Sequence, residues 1–165
     1  MKFTSLLFAF FITLNSFSQY SNIDGLQKLD SADICSNLTS FGISVGEGHY
    51  SFELSSNETF IRTEYTCYQL RDTLRGTWTI FNNKLYLKSG NYQLSYTVFK
   101  LTDFYFLISE TQETSFLSDI LKARAVFKDR KSIKFEDTII TREQLICLYL
   151  HETYPAKIPE EVTGT

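Results

Sequence analysis

Cys147 and His151 stand four residues apart in TREQLICLYLHE, so a helix there places a thiol and an imidazole on one face. The pair supplies two of the four ligands that a structural zinc site needs. The chain has three cysteines and two histidines in all, and no CxxC or HxxxH spacing supplies the other ligands. The pair therefore reads as a buried cysteine and a histidine near a helix C-terminus, where the dipole favours its charged form. No metal site is assigned.

Glu47 and His49 lie at i, i+2 in GEGHY. A carboxylate beside an imidazole can do general acid–base work, but no nucleophile lies nearby in sequence. The flanking glycines instead suit a tight backbone path into a strand, with both side chains solvated. The chain has no GxSxG elbow, no glycine-rich phosphate loop and no HExxH. No catalytic residue and no cofactor is assigned, and the chain is not expected to be an enzyme.

The remaining candidate is apolar. LRGTWTIFNNKLYLKSG, residues 74–90, holds the single tryptophan, Trp78. It either lines a ligand pocket or plugs a small β-barrel, and Phe52 and Leu87 are its candidate companions. Three cysteines, Cys35, Cys67 and Cys147, permit one disulfide and one free thiol in an oxidising compartment. Cys35–Cys67 is the first-ranked pairing, tying the N-terminal segment to the second strand; no disulfide at all is the alternative.

These residues need a scaffold, and the pattern around Trp78 supplies it. GTWTIF alternates Trp78 and Ile80 against Thr77, Thr79 and Phe81. Asn82-Asn83 suits a two-residue turn because asparagine tolerates positive φ, and KLYLKS returns with Leu85 and Leu87 opposite Tyr86 and Lys88. The same pattern occurs earlier: GHYSFEL alternates Tyr50, Phe52 and Leu54 with polar residues, SSNE turns, and TFIRTEYTC returns. YQLSYTVF (Leu94, Tyr96, Val98) and FYFLIS (Phe104, Phe106, Ile108) follow. Short links between six such strands predict an antiparallel meander, which must curl or be covered to protect its edges. Fifteen phenylalanines and ten tyrosines with only two prolines fit that reading.

The flanks carry helical spacing. Asp24–Leu38 places Leu26, Leu29, Ile34, Cys35 and Leu38 loosely at helical intervals. Glu113–Asp129 has a stripe of Phe116, Leu117, Ile120, Leu121 and Ala125, with Thr114 or Ser115 as its cap. Thr141–Glu152 starts on Thr141 with Gln144 in capping-box position, and Leu145, Leu148 and Tyr149 are its expected inward face. The fold class is mainly β: a meander of about six strands forming a barrel or half-barrel, with flanking N-terminal and C-terminal helices.

HYSFEL…NETFIRTEYTC…GTWTIFNNKLYLKS resembles the small lipocalin-like β-barrel domains of exported bacterial proteins. The resemblance covers roughly residues 46–109. Its Gly76-Thr77-Trp78 matches the family's Gly-x-Trp in letters but falls in the third candidate strand instead of the first. It implies a barrel or half-barrel, with room for an apolar cavity, and transfers no ligand and no site residue.

Location follows from the first residues. Lys2 precedes an uncharged, mostly apolar run from Phe3 to Leu14, and Ser16 and Ser18 stand where a signal peptidase inspects. A run of about 12 residues falls short of the roughly 20 that a membrane-spanning helix needs. The expected organisation is a signal peptide over residues 1–18, a single β-rich domain with flanking helices over 19–154, and a flexible tail over 155–165. The formal charge is −3, and losing Lys2 with the signal makes it more negative. An acidic chain exerts no global pull on nucleic acid. Lys122–Lys134 holds six basic residues against Asp129 and reads as a solvated face, with an anionic surface as the alternative. Two functions remain for a periplasmic or extracellular protein of this kind. One is a non-catalytic binding module, with a small apolar molecule in the barrel or a partner on its rim. The other is an envelope interaction or structural protein without a ligand cavity. Intact-mass measurement of native protein is expected to give a chain beginning near Gln19; a mass that includes Met1–Ser18 overturns the export reading.

Overall fold

The computed structural model describes residues 23–37, 40–45, 48–66, 69–135 and 138–159. It is mainly β, an antiparallel sheet curled into a half-barrel with a few helices. The strands are β1 (Leu26–Lys28), β2 (Ser40–Val45), β3 (Gly48–Leu54), β4 (Thr59–Thr66), β5 (Gln69–Phe81), β6 (Lys84–Ser89), β7 (Tyr92–Leu101), β8 (Phe104–Ser109), β9 (Ser132–Phe135), β10 (Thr138–Thr141) and β11 (Ala156–Lys157). The helices are α1 (Ser31–Asn37), α2 (Glu113–Val126) and α3 (Arg142–His151).

Strands β2 to β8 pair in sequence order, each antiparallel to the next. Local turn chemistry enforces this. Asn82 and Asn83 have φ of 49° and 58°, the two positive values that a type I′ hairpin requires. Trp78 then faces Leu87 and Ile80 faces Leu85. In the β3–β4 turn, Asn57 Oδ1 accepts from the Thr59 amide at 3.3 Å and its hydroxyl at 2.6 Å, while Glu58 takes φ 62°. The seam of the curl is bridged by β11: Ala156 pairs with Gly42 of β2 and with Phe106 of β8. The two ends of the meander are thereby joined through a strand of two residues.

The β7–β8 hairpin is buried on both faces. Val98 and Leu107 face the concave side, in a cluster with Leu29, Ile34, Phe52, Leu54, Phe60, Leu85 and Leu87. Phe99, Leu101, Phe104, Phe106 and Ile108 face the other way, under α2 and α3. Phe116 of α2 is the hub of that layer, with ring centroids 5.5 Å from Phe99, 5.2 Å from Phe106 and 5.0 Å from Tyr154. Thr97 is buried on the same side, where its hydroxyl donates to Glu113 in the first turn of α2.

Several expectations need correction. The Asp24–Leu38 helix begins only at Ser31, because Leu26–Lys28 pair with Phe99–Leu101 as β1. Asp30 caps α1, its Oδ1 accepting from the Ala32 and Asp33 amides at 2.9 and 3.0 Å. Helix α2 starts earlier than a Thr114 or Ser115 cap allows: Glu110–Gln112 form a 3-10 turn, with Ser109 donating to Gln112 Oε1 at 2.8 Å. Its inward stripe is Phe116, Leu117, Ile120 and Ala123, and Leu121 is 56% exposed. In α3, Thr141 forms the expected capping box with Gln144. The buried residues there are Ile146, Cys147 and Leu150; of the three expected inward residues, Leu148 is half-buried against the same cluster, while Leu145 is not part of it and Tyr149 is exposed. Pro155, the expected start of a loose tail, is buried, and its carbonyl accepts from the Leu107 amide at 2.8 Å. The tail is held there because β8 needs a partner.

Phe106→Ala is expected to cost about 3–5 kcal/mol, the range for buried aromatic truncations. Leu121→Ala is expected to cost within about 0.5 kcal/mol, as for ordinary surface positions. Urea titration separates the two, and a cost at Leu121 as large as the one expected at Phe106 would overturn the register given for α2.

Candidate functional site

The curled sheet has two unlike ends. At one end, α1 lies against the β5–β6 turn. The Ser31 amide and hydroxyl both donate to Asn83 Oδ1, at 3.1 and 3.0 Å, fixing the start of α1 to the β5–β6 turn. Ile34 and Leu29 then enter the concave apolar cluster, with the Leu29 amide bonded to the Val98 carbonyl at 3.0 Å. Trp78 belongs to this end. Its amide donates to the Glu58 carbonyl at 2.8 Å and its ring Nε1 donates to the Ser55 carbonyl at 3.0 Å. The half-buried ring packs against the cluster that contains Phe52 and Leu87, so the three sequence-predicted site residues do come together. Gly76 lies two residues before Trp78 on the same face. A Cβ there would collide with the Lys88 carbonyl and with the ring of Phe60, so the glycine is what lets Phe60 fill the interior.

The other end is open. A cleft of about 270 Å³ lies between Phe52 and Tyr96 on its floor, Ser109, Thr111 and Gln112 on one wall, and Thr153 and Pro155 on the other. Phe52 and Tyr96 meet edge to face, with centroids 6.0 Å apart. The Arg62 guanidinium lies 5.9 Å from the Phe52 centroid and 3.7 Å from Glu64, which Arg71 approaches at 3.9 Å. The wall is ordered by its own bonds: Ser109 donates to Gln112 and contacts the Thr111 hydroxyl at 3.2 Å. Of the three predicted residues, only Phe52 reaches this cleft. Tyr96 and Ser109 carried strand signals and no site signal, and Thr111 and Gln112 carried neither.

The polar candidates lie elsewhere. Cys147 is fully buried, 3.4 Å from both the Leu101 carbonyl and the Thr102 hydroxyl. Burial pushes its thiol up to about 12, and the Thr102 hydroxyl opposes this only in part. No group of three or more potential metal ligands occurs among the described residues. His49 is exposed and stacks on Tyr65 at 6.4 Å, while Glu47 lies outside the described residues. Cys35 is free and exposed on α1; its proposed disulfide partner, Cys67, lies outside the described residues. Within the basic stretch, Lys122 pairs with Asp119 at 2.9 Å and Arg124 with Glu143 at 3.3 Å.

No protein-family model, curated protein or solved structure matches this chain. The lipocalin-like resemblance of residues 46–109 therefore rests on its sequence motifs alone.

His151 closes α3 just before the Thr153–Pro155 wall. Burial disfavours its imidazolium and holds its pKa below 6.5; the Tyr154 backbone opposes that shift, and the positive charge of His49 adds to it. The folded chain then binds fewer protons at this site than the unfolded chain. Stability is present above 6.5 and is lost as pH falls below it, through the folded value. Replacing His151 by Gln is expected to flatten the stability–pH curve just below that value in urea titrations; an unchanged slope would show that the histidine is solvated in the folded state.

Proposed function

We propose that this protein is an exported, non-catalytic binding module that takes a small amphipathic molecule at the open end of its curled sheet. The observation carrying this reading is the cleft between Phe52 and Tyr96. It has an aromatic floor, a hydroxyl- and amide-bearing wall, and the Arg62 charge beside it. Such a mixture of apolar surface with a few placed polar groups is characteristic of ligand sites. The closed end supports the same choice, because Trp78, Ile34 and Leu29 leave the opposite mouth as the side for a ligand to approach. A non-catalytic role fits the Cys147 thiol, which burial keeps protonated at neutral pH, since only a thiolate is a useful nucleophile.

The second reading, an envelope interaction protein without a ligand cavity, is favoured by one feature. Phe60, Leu85 and Leu87 leave little of the concave interior empty. Titration with anilinonaphthalene sulfonate, followed by amide chemical shifts, distinguishes the readings. Saturable binding with shifts at Phe52, Tyr96 and Gln112 is expected, and Tyr96→Ala is expected to weaken it about tenfold, roughly the loss of one aromatic contact. Absence of shifts at the cleft would overturn the first reading in favour of the second.

A further inference from the structure

The convex face of β5, β6 and β7 carries a second groove, of about 340 Å³, lined by Thr77, Thr79, Phe81, Tyr86, Lys88 and Gln93. The pairing register builds it. Thr77 lies opposite Lys88, Thr79 opposite Tyr86, and Lys88 opposite Gln93, so the side chains from three neighbouring strands project from one face. Phe81 is 64% exposed at its edge.

Two features separate this groove from an ordinary solvated sheet face. The first is that its polar groups are unspent. Among the described residues, the side chains of Thr77, Thr79, Tyr86, Lys88 and Gln93 make no hydrogen bond or ion pair within the protein. The wall of the open-end cleft is the opposite case, with Ser109 and Gln112 bonded to each other. The second is the combination of chemistries. Two aromatic rings, one of them a phenol, together with two aliphatic hydroxyls, an amide and an ammonium, line one groove. Aromatic faces accept the C–H faces of sugar rings, while hydroxyl, amide and ammonium groups exchange hydrogen bonds with sugar hydroxyls. No carboxylate lines the groove, Lys88 stands in it, and Arg75 continues the same face of β5. The groove is thus locally cationic on an acidic chain.

We propose that this convex groove is a binding site for an acidic oligosaccharide, one whose sugar rings carry carboxylates. The rings lie against Tyr86 and Phe81. Their hydroxyls bond to Thr77, Thr79 and Gln93, and a carboxylate meets Lys88. The site is independent of the open-end cleft, on the other face of the sheet.

Tetragalacturonate is the probe, with neutral cellotetraose as its control, in amide-shift titrations of the whole protein. The expected result is saturable shifts confined to residues 77–93, with tetragalacturonate binding more tightly than cellotetraose and losing affinity as salt rises. Tyr86→Ala is expected to bind about tenfold more weakly, the size of a lost ring contact with its hydrogen bond. Lys88→Gln, a surface change that leaves the fold intact by far-ultraviolet circular dichroism, is expected to abolish the preference over cellotetraose. Absence of shifts at millimolar sugar, equal binding of the two sugars, or shifts at Phe52 and Tyr96 in place of the convex face would each overturn the proposal. Tyr96→Ala leaves sugar binding unchanged, so failure at one site is distinguishable from failure at the other.

Discussion

The hairpin of β7 and β8 is the constraint on which the rest of this structure depends. A strand in a one-layer sheet alternates buried and exposed residues, but these two strands are apolar on both faces and must be covered twice. Val98 and Leu107 are covered by curling the meander over them. Phe99, Leu101, Phe104, Phe106 and Ile108 are covered by α2 and α3. Neither half of the fold can bury its own apolar surface without this hairpin. The barrel side and the helix side are therefore one cooperative unit, even though their apolar residues form two clusters.

The hairpin also carries a local strain that the helix layer holds in place. Thr102, in its tight turn, has φ 54°, a region that a β-branched residue rarely occupies. Its hydroxyl donates to the Leu101 carbonyl at 2.6 Å and lies 3.4 Å from the Cys147 thiol. Cys147 in turn contacts the Leu101 carbonyl at 3.4 Å. The cysteine that looks like half of a metal site is thus a small buried residue resting on a strained turn. Its spacing from His151 follows from α3 needing Cys147 inward, while His151 lies one turn on at the helix end.

What the sequence made legible, and what it did not, follows from the range of the interactions involved. All six strands of the expected meander are present, because each is long enough for alternation to register and is bounded by its own turn residues, such as Asn82-Asn83. β1 and β11 have three and two residues. Periodicity cannot mark so short a segment; they are strands only because β7, β8 and β2 offer them partners. β2 did carry a signal, with Phe41, Ile43 and Val45 in alternation, but Gly42 interrupts it and it follows a helix. The first half of β5, Gln69 to Arg75, is masked by Arg71, Asp72 and Arg75 among its apolar residues. Helix faces were legible in position and only partly in phase: Phe116, Leu117 and Ile120 turn inward as expected, and Leu121 does not. Leu121 is as hydrophobic as its buried neighbour Leu117, so which residues turn inward is decided by the sheet beneath. The open-end cleft was legible least of all, since it joins Phe52 and Tyr96 to a loop and a C-terminal segment far away in the chain.

Filling the interior has a consequence for where recognition can occur. A small barrel has room either for side chains or for one ligand. Here Phe60 lies over Gly76, Ile34 enters from α1, and Trp78 has its ring N–H committed to the Ser55 carbonyl. A large ligand entering from the closed end would have to displace a helix and break that bond. A ligand that leaves this core undisturbed would have to use surfaces whose side chains need no rearrangement: the shallow open mouth or the convex face. These two differ in a way that follows from the pleat. On β5, Trp78 and Ile80 are used to close the core, which forces Thr77, Thr79 and Phe81 outward; on β6, Leu85 and Leu87 do the same for Tyr86 and Lys88. The alternation that packs the inside composes the outside as well, and a shift of one residue in the register would exchange the two sets.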